Sequence, residues 1–117
     1  MDFSTIEKNL VSEIKLTAIQ AKVYLLVTCF GRMSSKKIAE KLQIPINDAN
    51  HIAKYLIEIG AFIDFSPTEF EAMHPRFTAV NMYRRLCERE GVEFKQNKIV
   101  DGIGVLLEKP YDDARTK

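Results

Sequence analysis

No apolar run in this chain is long enough to cross a bilayer, so no transmembrane helix is expected. The opening residues, MDFSTIEKNL, lack a basic stretch followed by an apolar one, and that argues against a signal peptide. Cysteine is scarce: Cys29 and Cys87 lie far apart with no CxxC partner, and both fall in helical patterns. They read as reduced thiols in apolar surroundings, consistent with a cytoplasmic protein. Two histidines, His51 and His74, are too few for a metal site, and no ligand spacing supports one. Charge of one sign is also missing. Seventeen basic and 16 acidic residues leave a net charge of +1, too little for a sequence-blind DNA packer, so any nucleic-acid binding must come from local clustering.

The motifs of enzyme chemistry are absent as well. There is no GxSxG, no phosphate loop, no HExxH and no glycine pair after a strand. Asp112 and Asp113 stand in a polar tail, where nothing would tune a catalytic carboxylate. Gly102-Ile103-Gly104 is too short to cradle a phosphate and lies inside a helical pattern. No catalytic residue, metal or cofactor is expected.

What remains is a run of amphipathic segments. With 117 residues there is room for one domain and an extension, and 46% hydrophobic residues can supply a core. Ser4 and Glu7 have capping-box spacing before a helix over 5–14, whose stripe is Ile6, Leu10, Val11 and Ile14. Thr17 and Gln20 repeat that spacing before a largely buried helix that ends at Gly31. Ser34 then caps a short helix to Leu42, with Ile38, Ala39 and Leu42 inward and Lys36, Lys37 and Lys41 outward. Pro45 cannot continue that helix. Asn47 suits the cap of the next one, whose inward residues are Ala49, Ile52, Ala53, Leu56 and Ile57, and which stops at Gly60.

After Gly60 the period changes. Phe62, Ile63 and Phe65 read as one short strand, Ser66-Pro67-Thr68 as a turn, and Phe70, Ala72 and His74 as the return strand. Pro75 opens a helix with an apolar face of Phe77, Val80, Tyr83, Leu86 and Cys87. A last helix carries Ile99, Val100, Ile103, Leu106 and Leu107, weakened by Gly102 and Gly104 and ended by Pro110, before a polar, mobile tail. The fold class expected is mainly α with a small β-wing: a winged helix-turn-helix with an N-terminal helix and a C-terminal helical extension. Its divisions are 1–15, 16–75 and 76–117.

The helix after Pro45 is the one that would enter a DNA groove. Asn47, Asp48, Asn50, His51 and Lys54 fall on its free side. Asparagine reads adenine bidentately, Asp48 can accept from cytosine, and Lys54 can meet a phosphate or guanine. The start of the preceding helix offers Ser34, Ser35, Lys36 and Lys37, with Lys41 beyond, and this suits a phosphate. The wing, with Asp64, Glu69 and Glu71, has no basic residue of its own.

Three stretches, LTAIQAKVYLLV (16–27), KIAEKLQIP (37–45) and IAKYLIEIGAF (52–62), resemble the winged-helix domain of the TrmB-like archaeal regulators, in the wider MarR-like and ArsR-like group. The likeness covers about 16–76. It implies a dimeric transcription regulator whose reading helix runs over about 46–59. Ile46 and Asp48 stand where basic and hydroxyl residues are usual in that family, and Gln20 where glutamate is common. The sugar-binding domain of larger members has no room here, so no small-molecule effector is inferred. The expected partners are double-stranded DNA and a second copy, paired through Phe77, Val80, Tyr83, Leu86, Ile99, Ile103, Leu106 and Leu107. The alternative is a winged-helix protein-interaction module that touches no bases.

Overall fold

In the computed structural model, which describes residues 3–116, short sequence signals become a helix-rich fold with a small sheet. The helices are α1 (Phe3–Ile14), α2 (Ala18–Phe30), α3 (Ser35–Leu42), α4 (Ile46–Glu58), α5 (Pro75–Glu90) and α6 (Lys98–Arg115). The strands are β1 (Met33–Ser34), β2 (Phe62–Asp64) and β3 (Glu69–Ala72), antiparallel in the order β1-β3-β2. β3 is central because Met33 pairs with Phe70 on one side while Phe62 pairs with Ala72 on the other. Two strands were expected; β1 is too short to show a period of two in the sequence.

Helix α2 is the buried post of the fold. Thr17 and Gln20 close the expected capping box, each side chain meeting the other's backbone N–H. Val23, Tyr24 and Val27 have no exposed surface. The Tyr24 ring stacks on Phe62, and its hydroxyl lies 2.6 Å from that of Thr78. Burial pushes the Tyr24 phenol above its usual range, so it stays protonated and the pair stays neutral. Around α2 pack α1, α3, α4, α6 and β3, and one hydrophobic cluster draws from all of these as well as from α5.

Several boundaries differ from expectation. Ser4 lies inside α1 (Phe3–Ile14) rather than at its cap. Helix α4 begins at Ile46, with Pro45 in the cap position and no side-chain cap bond, so Asn47 sits in the first turn. Proline fixes φ and holds this entry without a capping side chain. Phe65 lies past β2, and His74 caps α5 by accepting from the Arg76 N–H at Nδ1. The buried face of α5 is Thr78, Ala79, Met82, Leu86 and Cys87, rotated from the expected one, which leaves Phe77 exposed. Pro75 stands in the first turn as expected.

The largest departure is the C-terminus. Pro110 does not end α6, which continues to Arg115. An interior proline removes a backbone hydrogen bond at a cost of about 3 kcal/mol, and side-chain anchors beyond it hold the last turns. The Tyr111 hydroxyl donates to the Ala72 carbonyl, and the Arg115 guanidinium lies over the Tyr111 ring. Arg115 also donates to the carbonyls of Val27 and Thr28 at the end of α2, and pairs with Glu71. A cation is favourable at a helix C-terminus, and here it serves the Thr28 carbonyl while sharing the Val27 carbonyl with the Gly31 N–H.

Helices α5 and α6 pack so closely at Gly104 that a Cβ there would come 2.7 Å from the Arg76 Cα. At Gly102 a Cβ would meet nothing within 4 Å. Gly104→Ala should therefore destabilise the fold by roughly 1–3 kcal/mol in urea unfolding, through overpacking. Gly102→Ala should leave stability unchanged or raise it by up to about 1 kcal/mol. Equal effects from the two would contradict the close packing.

Candidate nucleic-acid interface

The turn between α3 and α4 sets the site. Gln43 takes the left-handed conformation (φ 55°), and its N–H bonds to the Ala39 carbonyl, ending α3. Ser34 caps α3 by accepting from the Lys37 N–H at 3.1 Å. The Ser35 N–H donates to the Thr68 carbonyl, which ties the start of α3 to the β2–β3 turn. The starts of α3 and α4 and the tip of that turn thereby face one cleft of about 280 Å³, lined by Ser34, Ser35, Lys36, Ile46, Asn47, Asn50, Pro67 and Thr68.

The expected base-facing residues divide here. Asn47, Asp48, His51 and Lys54 are exposed, at spacings that share one side of α4. Asn50 is half-buried, and its Oδ1 accepts from the Ser35 hydroxyl at 3.0 Å. One polar atom of the carboxamide is thus committed inside the protein, which opposes the bidentate adenine contact expected of it. Ser35 itself is only 8% exposed and serves as the brace for Asn50, not as a phosphate contact. The amides at the start of α3 are also largely spoken for, Ser35 by Thr68 and Lys37 by Ser34. The N-terminus of α4 has no side-chain cap, and its positive end is partly answered by Asp48 in its first turn.

The cations are dispersed. Lys36 lines the cleft, whereas Lys37 and Lys41 line a separate groove with Arg32, Met33, Leu26 and Phe30. Arg32 lies 3.8 Å over the Phe65 ring beyond β2. It sets a basic group beside the β2–β3 hairpin, whose own strands have none, through a pairing of β1 with β3 that the sequence does not reveal. The arginines of α5 go elsewhere. Arg76 pairs with Glu108, Arg84 lies over Phe94, Arg85 donates to the Glu58 carbonyl, and Arg89 donates to the Tyr55 hydroxyl. Glu58 is the last residue of α4, so Arg85 works at the end remote from the cleft, roughly 18 Å away at 1.5 Å per residue. Of the acidic residues around the turn, Glu71 is paired with Arg115, and Glu69 accepts from the Ser66 hydroxyl at 3.3 Å.

Of the residues expected to pair two copies, Leu86, Ile103 and Leu107 are buried in this chain's own core and offer nothing to a partner. The C-terminal helices already cover them by packing against α1 and α2. Phe77, Ile99 and Leu106 are exposed, and Val80 and Tyr83 are half-buried. The Cys29 thiol is pushed up to about 11 by burial, with Arg115 pulling weakly the other way, and so is protonated at neutral pH. Among the described residues no group of His, Cys, Asp and Glu could hold a metal ion, and no helix is long and apolar enough to cross a membrane. Comparison of the chain with family models, with curated proteins and with solved structures finds no match.

The Ser35 brace can be tested without any ligand. In Ser35→Ala, the Asn50 side-chain amide should lose its dispersed NMR shifts and become conformationally averaged, with about 1 kcal/mol of stability lost. Unchanged Asn50 amide shifts would contradict the brace.

Proposed function

We propose that the chain is a winged helix-turn-helix protein that binds duplex DNA in the cytoplasm as a transcription regulator of the TrmB-like kind. The observation that carries this is the single cleft at which the starts of α3 and α4 meet the β2–β3 turn. Helix α4 would lie in the major groove, with Asn47, His51 and Lys54 toward base edges. Lys36 and the Thr68 turn would flank it at the phosphates. Asp48 favours cytosine amino groups over guanine edges. Pairing of two copies through exposed apolar side chains such as Phe77, Ile99 and Leu106 would place two such helices on a near-palindromic site.

A second reading is favoured by one specific observation. Arg76, Arg84, Arg85 and Arg89 make contacts within the chain and do not join Lys36 at the cleft. That weakens the DNA reading and suits a protein-interaction module that touches no bases, and fold alone does not choose between them.

Fluorescence anisotropy with labelled duplexes at about 50 and 200 mM salt separates the two. DNA binding requires micromolar or tighter affinity at the lower salt and a steep fall at the higher. Lys36→Ala should weaken all duplexes alike and lower the salt slope by about one. The double replacement Asn47→Ala and His51→Ala should flatten sequence preference instead. No binding at the lower salt would favour the interaction module.

A further inference from the structure

Phe30, the last residue of α2, is 69% exposed, far more than a phenylalanine needs to be at the end of a buried helix. It stands where three grooves meet. On one side a groove of about 250 Å³ is almost wholly apolar, with Phe3, Leu25, Leu26 and Leu42 along it. On the other a groove of about 330 Å³ runs past Leu26 to Arg32, Lys37 and Lys41. The third lies against Pro110 and Asp113 of α6.

The charges around Phe30 are lopsided. Arg32, Lys37 and Lys41 form no ion pair with another described residue, Arg32 lying instead over the Phe65 ring. Lys37 and Lys41 are four apart on α3, a like-charge spacing that costs the helix stability unless an anion covers it. Of the described acids that line these grooves, Glu7 is held by Lys22 at 2.9 Å on the apolar side, and Asp113 pairs with Lys109 at 3.3 Å. Glu40, the acid of α3, lines neither groove.

We propose that the Phe30 surface docks an acidic amphipathic helix of a partner protein, its apolar side chains in the α1–α2–α3 groove and its carboxylates over Arg32, Lys37 and Lys41. Charge complementarity selects this occupant. A DNA backbone could use the cations but has no use for the apolar groove. A small ligand needs concave walls around most of its surface, and here the central feature is a projecting ring. An exposed aromatic beside unpaired cations is the pattern of an interface hot spot, apolar contact giving affinity and charge giving orientation. The proposal does not depend on whether α4 reads DNA. If it does, this surface could hold a partner while α4 is in the groove.

The test uses two synthetic helical peptides of about 16 residues, long enough to present an i, i+3, i+4, i+7 face. They share the same Leu and Phe stripe and carry either Glu or Lys at every other position. Titrated into the full chain, the Glu peptide should bind with roughly micromolar Kd and the Lys peptide at least about tenfold more weakly. Phe30→Ala should weaken the Glu peptide by about tenfold or more, as truncating a central anchor does, while leaving duplex-DNA affinity unchanged. Lys37→Glu with Lys41→Glu should weaken the Glu peptide and improve the Lys peptide. Equal affinity for the two peptides, no binding of the Glu peptide, or no effect of Phe30→Ala would overturn the proposal. So would conversion of a dimer to a monomer by Phe30→Ala, because the occupant would then be a second copy of this chain.

Discussion

Tyr24 meets Thr78 in the middle of the fold, on the buried helix against which α3, α4 and β3 pack. A buried phenol left without a partner would cost about 1–3 kcal/mol, so the pair fixes the distance between α2 and α5. The same tyrosine ring stacks on Phe62, the first residue of β2. Helix α2 therefore sets the places of both the sheet and the C-terminal helices. Since α3 and α4 also pack on α2, both of these helices and the β2–β3 hairpin are referred to one buried post. The Ser35–Thr68 backbone bond then ties the start of α3 to the β2–β3 turn.

The C-terminal helix supports that arrangement from the other side. Gly104 lets α6 approach α5 closely, and Arg115 reaches the carbonyl end of α2 and Glu71 of β3. Removing the last turn of α6 would therefore disturb the sheet as well as the helix pair. The expected excess of apolar surface on these helices is largely answered within the chain, by α1 and α2. On α5 and α6 the large apolar side chains that stay exposed are Phe77, Ile99, Val105 and Leu106.

The sequence disclosed the features that depend on local chemistry. Thr17 and Ser34 as caps, Pro75 at a first turn, Gly60 after α4 and the inward residues of α4 all follow from short-range rules. It concealed what depends on tertiary partners. The pairing of β1 with β3 spans residues far apart in the chain and is two residues long. The continuation of α6 through Pro110 depends on Arg115 finding the end of α2. Ser35 and Asn50 were both visible as polar residues on free faces, yet only the crossing of α3 and α4 makes one the brace of the other. Likewise nothing local distinguishes Lys36, which faces the cleft, from Lys37, which does not line it.

The α3–α4 cleft with the β2–β3 turn is the proposed nucleic-acid interface. Its most direct test is an NMR titration of the isotope-labelled chain with duplex DNA, followed residue by residue. The largest shift changes are expected at Lys36, Asn47, His51, Lys54 and Thr68, with the Phe30 surface and the outer face of α6 little affected. Changes confined to α5 and α6, or to the Phe30 surface, would contradict it, as would no change at any residue.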